Sequence, residues 1–242
     1  MATQTEPRLP LSRDRILHTA LDLADEHGIE SLTMRKLGQA LGFEAMSLYN
    51  HVANKDDVLD GILDLVLAEG EPPSPAGDWD TAVRKSAISV HQALRRHPWA
   101  CTLVMVPARI RPARLRYMDS LLGRLREGFP AETTYHAYHV LDAHIFGFAL
   151  WQASHSYNAA EVSDFVATFE RMIPAAEYPY LHEHGLQHLT DGPVHDVSAF
   201  EFGLDLILDG LKKIHATVPT EDGAVNGEKL GGGGIEPPTS SL

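Results

Sequence analysis

The chain of 242 residues has a single cysteine, Cys101. A lone thiol cannot close an intrachain disulfide, so the fold must hold without covalent staples, and such sparing use points to a reducing compartment. No apolar run approaches the ~18 residues that would cross a bilayer. The first residues lack the charged-then-apolar pattern of a secretory leader. The expectation is a soluble, cytoplasmic protein with no membrane partner. Strand-like alternation of apolar and polar residues is missing too, which leaves helical spacing as the only periodic pattern. Basic residues are short: 20 Lys and Arg stand against 33 Asp and Glu, for a net charge of −13. A general nucleic-acid coat is therefore excluded, because non-specific binding rests on Lys and Arg at phosphates. Nor is there a glycine-rich phosphate loop, a G-x-S-x-G or an H-E-x-x-H, and no enzyme is expected.

What the chain does have is apolar residues, 44% of the total, enough for a real core. They fall into amphipathic helical segments, and the predicted class is all-α. Residues 1–10 read as a flexible arm in which Arg8 stands available. Residues 11–70 form a first unit. The Pro-rich stretch 71–78 breaks the pattern, residues 79–216 form a second helical unit, and the glycine-rich 217–242 lacks the apolar surface to order itself. In the first unit, Ser12, Thr33 and Asn54 sit where helix N-caps belong. Gly28 and Gly42 sit where helices stop. Thr33 precedes a helix from Met34 to Leu41, with Leu37, Ala40 and Leu41 facing inward. A helix from about Ala45 to Val52 follows, with Leu48 and Val52 inward. In the second unit, the segment opened by Pro112 is expected to bury Leu115, Met118, Leu121, Leu122 and Leu125.

The most informative stretch is Leu32–Val52. Between Ser31 and Lys55 the only charges are Arg35, Lys36, Glu44 and Lys55, a net positive window on an acidic body. The spacing of two short helices around Gly42 predicts a helix-turn-helix whose second helix enters a DNA major groove. That helix would present Ala45, Met46, Ser47, Tyr49, Asn50 and His51. Asparagine can pair with an adenine edge, Ser, Tyr and His with bases or phosphates, and Ala45 and Met46 with a thymine methyl. Thr33, Met34, Arg35 and Lys36 at the start of the preceding helix, and Lys55, would lie over the backbone.

The run A-x-x-L-A-x-x-x-G-x-x-x-L-T-x-R-x-L-x-x-x-L-G, the S-L-Y-x-H-V that follows it, and the N-K opening of the next helix resemble the DNA-binding domain of the tetracycline-repressor (TetR) family. The likeness covers residues 11–70. The layout of the second unit, with Trp79 opening it and F-E-F-G-L-D-L-I-L-D-G-L in its last helix, resembles the tetracycline-repressor branch. The resemblance implies an N-terminal helix-turn-helix domain joined to a C-terminal helical ligand-binding and dimerisation domain. It implies a homodimeric repressor on a palindromic operator, released by a small-molecule effector. An activator or ligand-independent regulator, or a helical ligand-binding protein without DNA binding, stays open on the same scaffold. Relatives that bind tetracycline–magnesium place an Asn, an aromatic and a metal-binding His where this chain has Ser86, Val90 and Val104, so a different effector is expected. Many relatives also begin the recognition helix with Gln or Pro where this chain has Ala45-Met46, which implies a different operator.

Ser86, Val90, Trp99, Val104, Met105, Met118, Tyr138, Phe146 and Trp151 are candidates to line a ligand pocket. Phe200, Leu204, Ile207, Leu211 and Ile214 follow 4-3-4-3 spacing, with Gly203 and Gly210 seven apart. That stripe is assigned to a dimer interface. The arginines between Arg109 and Arg126 read as a solvated helix face. Among 14 histidines, His136 and His139, and His184 and His188 with His182 nearby, have ligand-like spacing. A structural zinc site needs four ligands and no cysteine pair is present, so neither metal nor cofactor is expected.

Overall fold

The computed structural model describes residues 10–106, 111–154, 162–190 and 197–217. The arm short of Pro10 and the tail beyond 217 lie outside them, as does the side chain of His188. Among the described residues the regular structure is helical: α1 (Arg13–His27), a single 3-10 turn (Ile29–Ser31), α2 (Met34–Leu41), α3 (Ala45–Leu48), α4 (Lys55–Ala68), α5 (Trp79–Arg96), α6 (Ala100–Val104), α7 (Pro112–Arg126), α8 (Ala131–Ser154), α9 (Val162–Met172), α10 (Pro179–Thr190) and α11 (Val197–His215). No described helix is long and apolar enough to cross a membrane.

Local chemistry sets the boundaries. Ser12 accepts from the Arg15 amide, Thr33 from Lys36 and Asn54 from Asp57, so α1, α2 and α4 each begin on a side-chain cap. A cap of this kind typically contributes ~1 kcal/mol. At the end of α2 the chain enters the left-handed region at Gly42 (φ 74°). The Gly42 amide then reaches Gln39 O, and the Phe43 amide reaches Gly38 O at 2.9 Å, which closes a Schellman turn.

Two apolar cores result. Ile16, Leu17, Ala20, Leu32, Leu37, Leu41, Leu48, Val52, Val58 and Ile62 join α1–α4. A larger core joins α5, α7, α8 and α11 to the C-terminal half of α4 through Leu63, Val66 and Leu67. Leu21 and Trp99 pack against both. The helix α4 therefore belongs to both cores, its first half in one and its second half in the other.

Two inward assignments are corrected. Ala40 is exposed, and Gly38 is buried in its place. The buried face of α2 turns towards α3, and only a residue without a side chain lets the two helices meet there. On α7, Leu115 is 53% exposed. The buried residues are Ala113, Tyr117, Leu121, Arg124 and Leu125. Arg124 donates from Nη1 to the carbonyl of Pro75 and from Nη2 to that of Gly77, which draws this face inward.

His91 lies fully inside the second core, stacked on Phe200 with centroids 3.8 Å apart. Its Nε2 sits 2.7 Å from Gln152 Oε1, an oxygen that only accepts, so Nε2 carries the proton. Burial pushes this imidazole down to about 4 from its ordinary 6.5. Between those values the unfolded chain takes up a proton that the folded chain refuses. Stability is full above the ordinary value and is lost as pH falls toward the folded one, by about 3 kcal/mol. Thermal melts of the wild type and of His91→Phe check this: the wild type should lose stability relative to the variant between neutral pH and pH ~4.5, and parallel curves would refute it.

Candidate nucleic-acid interface

The pair α2–α3 is held at close range by Gly38. A Cβ built there would stand 2.8 Å from Phe43 O and 3.2 Å from the Ala45 amide. Beyond Leu48, which is fully buried, the expected helix does not continue in α form. Asn50 and His51 bond back to Ser47 and Leu48, three residues earlier. The recognition element is thus one α-turn plus a tightened turn. Val52 still reaches Leu48 O and remains buried.

This element turns a compact row of side chains outward. Met46 is 75% exposed and Tyr49 43% exposed. Asn50 and His51 are exposed, while Ala45 and Ser47 are half-buried. Thr33, Arg35 and Lys36 are exposed at the start of α2. Met34 is half-buried and packs on the core, so it supports the element from beneath. Lys55 opens α4, half-buried. The row combines an amide, a phenol, an imidazole and a thioether, with cations at its edge. It offers direct hydrogen bonds, apolar contact and phosphate charge, the parts that groove recognition uses.

The mount is as specific as the reading face. Arg13 on α1 makes two parallel bonds to Asp57 on α4, 2.8 and 2.7 Å long. Asp57 Oδ2 also accepts from the Ala53 amide at 2.8 Å. Asp57 therefore ties α1 to the end of the recognition turn. Its hydrogen bonds with Arg13 hold its carboxyl below the usual aspartate range.

A second charged joint connects this domain to the helices behind it. His97, buried at the corner between α5 and α6, places Nδ1 2.8 Å from Asp25 Oδ1 on α1 and Nε2 3.0 Å from Glu69 just past α4. The Trp99 indole donates to Asp25 at 2.7 Å, and Arg96 to Glu69 at 2.6 Å. Burial acts to raise the Glu69 carboxyl, but Arg96 and His97 outweigh it and hold it below its ordinary value. Further along α4, Asp60 pairs with Arg111 and Asp64 accepts from the Ala113 amide at 2.7 Å, at the start of α7. Arg111, Arg114 and Arg124 are thus engaged and largely covered, while Arg116 and Arg126 are exposed, so the solvated-face reading holds for only part of this run.

The candidate pocket residues do not form one lining. Val90 and Phe146 are core, Ser86 is buried with its hydroxyl donating to Glu71 O, and Tyr138 donates to Asp142. Trp99 bolts two domains together, as above. Val104 and Met118 are partly buried against the core, while Met105 and Trp151 are exposed. Two surface clefts, about 290 Å³ beside Leu67, Pro72 and Arg116 and about 280 Å³ beside Arg13, Asp60 and Arg111, lie elsewhere. Among the described residues no three His, Cys, Asp or Glu side chains gather as a metal site.

The stripe on α11 is also corrected. Phe200, Leu204 and Leu211 are buried in their own domain, Ile207 packs against the same core, and a Cβ at Gly203 would strike His144 of α8. The spacing was that of a helix docking on its own domain. The exposed apolar residues of α11 are Phe202 (68%), Leu206 (61%) and Ile214, with Gly210 open to space. On α8, packed beside it, Tyr135, Val140 and Trp151 are exposed. Arg84 fixes α11 to α5 through Glu201 and Asp205 at 2.6 and 2.7 Å.

Comparison with known proteins places this geometry. Residues 16–62 match the bacterial regulatory proteins of the tetR family, and residues 71–215 match the tetracyclin repressor-like C-terminal domain. The chain is 30% identical to the HTH-type transcriptional repressor DrrR1 of Streptomyces coeruleorubidus, over 87% of this chain and 80% of that protein. It is 28% identical to the class C tetracycline repressor protein of Escherichia coli, over 86% and 93%. Apo ActR from Streptomyces coelicolor superposes with a TM-score of 0.67 at 30% identity, covering 87% of this chain and 99% of that one. ActR has also been solved in complex with actinorhodin; that chain is 29% identical, with a TM-score of 0.66 over 84% and 96%. With both halves matched and the interface built on α2–α3, the chain belongs to the TetR family of transcriptional regulators.

Proposed function

We propose that two copies of this chain occupy a palindromic operator, each placing α3 in a major groove, and that a small molecule held by the helical domain releases them in the cytoplasm. The observation that carries this is the outward row Met46, Tyr49, Asn50 and His51 on a backbone fixed by Gly38 and Asp57. The acidic body favours selectivity, since little besides the cognate contacts attracts DNA. A small-molecule effector is supported by the likeness to ActR, which was solved with actinorhodin.

A gel shift with DNA upstream of the gene tests the reading, and failure of the full-length protein to shift it would end it. Asn50→Ala should weaken specific binding about tenfold to a hundredfold and spare non-specific binding. Lys55→Ala should weaken both and lower the salt slope by about one per half-site. Pairing of copies is assigned to the apolar faces that α8 and α11 leave open, since recognition helices must sit about 34–36 Å apart. Phe202→Arg with Leu206→Arg should give a monomer with unchanged helix content by sedimentation and circular dichroism. A variant that remains dimeric would move the interface elsewhere.

A further inference from the structure

Among the described residues of α1–α4 only two large apolar side chains stand exposed, Met46 and Tyr49. Tyr49 has a hydroxyl to give to water. Met46 has only a thioether, and at 75% it is more open than Met105 (55%) or Met172 (69%). Met34 and Met118 are half-buried.

The exposure is built into the turn. Met46 sits between Ala45 and Ser47, both half-buried, and two residues before Leu48, which fills the core beneath. The close approach of backbone at Gly38 fixes this turn against α2. The thioether therefore has no way inward. The chain's one thiol is placed in the opposite manner. Cys101 is buried in α6, and burial pushes its thiol up to about 11, so no thiolate is at hand for an oxidant.

We propose that Met46 is an oxidation site through which a peroxide takes the protein off its operator. This rests on the reading that α3 enters a major groove, and it adds a signal that bypasses any effector in the helical domain. The sulfur takes one oxygen atom from hydrogen peroxide and is oxidised by two electrons to a sulfoxide, while the peroxide is reduced to water. The product is polar where the thioether was apolar, so contact with a thymine methyl is lost. It also carries an acceptor oxygen into a groove whose edges offer mostly acceptors, N7 and O6 of guanine, N7 of adenine and O4 of thymine. Bound DNA covers Met46, so the oxidant reaches the free copies and holds them free. A methionine sulfoxide reductase restores the thioether, with two thiols joined as a disulfide and the oxygen leaving as water.

The experiment uses the full-length protein, hydrogen peroxide as the oxidant, and a gel shift on DNA upstream of the gene. Each protein is compared with its own untreated sample, so a change in basal binding on substitution does not enter. The wild type should lose affinity at least about tenfold and recover after treatment with both methionine sulfoxide reductases. Met105→Leu with Met172→Leu should lose as much, whereas Met46→Leu should keep the affinity it has. Peptide mass spectrometry of the wild type gives a readout that needs no variant. Met46 sulfoxide should collect in the unshifted fraction, and operator added before the peroxide should slow its formation but not that of the Met105 and Met172 sulfoxides. The proposal is overturned if Met46→Leu loses as much as the wild type, if Met46 sulfoxide is spread evenly between shifted and free protein, or if Met105 and Met172 react while Met46 does not. A protein that shifts its DNA equally well before and after complete oxidation of Met46 also overturns it, whereas one that shifts no DNA when untreated fails the functional reading itself.

Discussion

Gly38→Val should abolish operator binding, lowering affinity more than a hundredfold in a gel-shift titration. On helix propensity alone, replacing a mid-helix glycine gains a few tenths of a kcal/mol to ~1 kcal/mol. Packing reverses the sign. Any Cβ at this position meets the Phe43 carbonyl at 2.8 Å and the Ala45 amide at 3.2 Å, and both neighbours are backbone. Backbone has no rotamer with which to yield, so the turn carrying α3 must swing away from α2. Overpacking of this kind costs ~1–3 kcal/mol. The loss of function should exceed the loss of stability, because Met46, Tyr49, Asn50 and His51 leave their register together. Gly38→Ala should show the same effect in weaker form. Tight operator binding by Gly38→Val would show that something else sets the α2–α3 spacing.

The second large effect is expected at His97. In His97→Ala, Asp25 and Glu69 lose the donor that stands between them, and α1 and α4 lose a shared tie to the α5–α6 corner. Removing one partner of a buried ionic group costs ~3–5 kcal/mol. Both carboxylates are about a third exposed, so solvent screens part of this, and ~1–3 kcal/mol is expected in urea unfolding. The variant should still bind its operator but release it less completely on adding effector, because the joint between the two domains has lost the side chain that links Asp25 to Glu69. Restoring the loss with Asp25→Asn in the same chain would fit repulsion between the two carboxylates. Full effector response in His97→Ala would sink the coupling role.

The acid limb of Glu69 follows from the same joint. Its carboxyl is held below the ordinary value, so its contribution is complete above the usual glutamate range and is lost as pH falls below it.

How much of this could be read beforehand differs from residue to residue. The caps at Ser12, Thr33 and Asn54 and the stop at Gly42 were legible, because each acts on backbone within four positions of itself. The exposed row on α3 was legible as a set of residues but not as a shape. The tightening after Leu48 depends on how the chain must reach Asn54, which no local pattern states. Gly38 looked like an ordinary small residue, since its role is to be absent where another backbone passes. The α11 stripe misled because a helix uses the same 4-3-4 spacing to dock on its own domain as on another. The discriminating signal was present in the off-stripe residues Phe202 and Leu206, apolar where solvent would favour charge. The cover over Arg111, Arg114 and Arg124 was invisible, since an arginine every few residues resembles a solvated face until burial is known. The joint at His97 brings together residues 28 and 72 positions apart, a distance over which periodicity carries no information.

The membership of α4 in two cores has a geometric consequence. Its 14 residues span about 21 Å at 1.5 Å per residue, anchored near one end by Arg13 and just past the other by His97 and Arg96. A rod of that length turns a small angle into a usable travel: a tilt of about 5° carries one tip roughly 2 Å relative to the other. In a symmetric pair the displacement occurs twice and in opposite senses, so the separation of the two reading heads changes by about twice that amount. DNA offers its grooves at a fixed pitch and cannot follow.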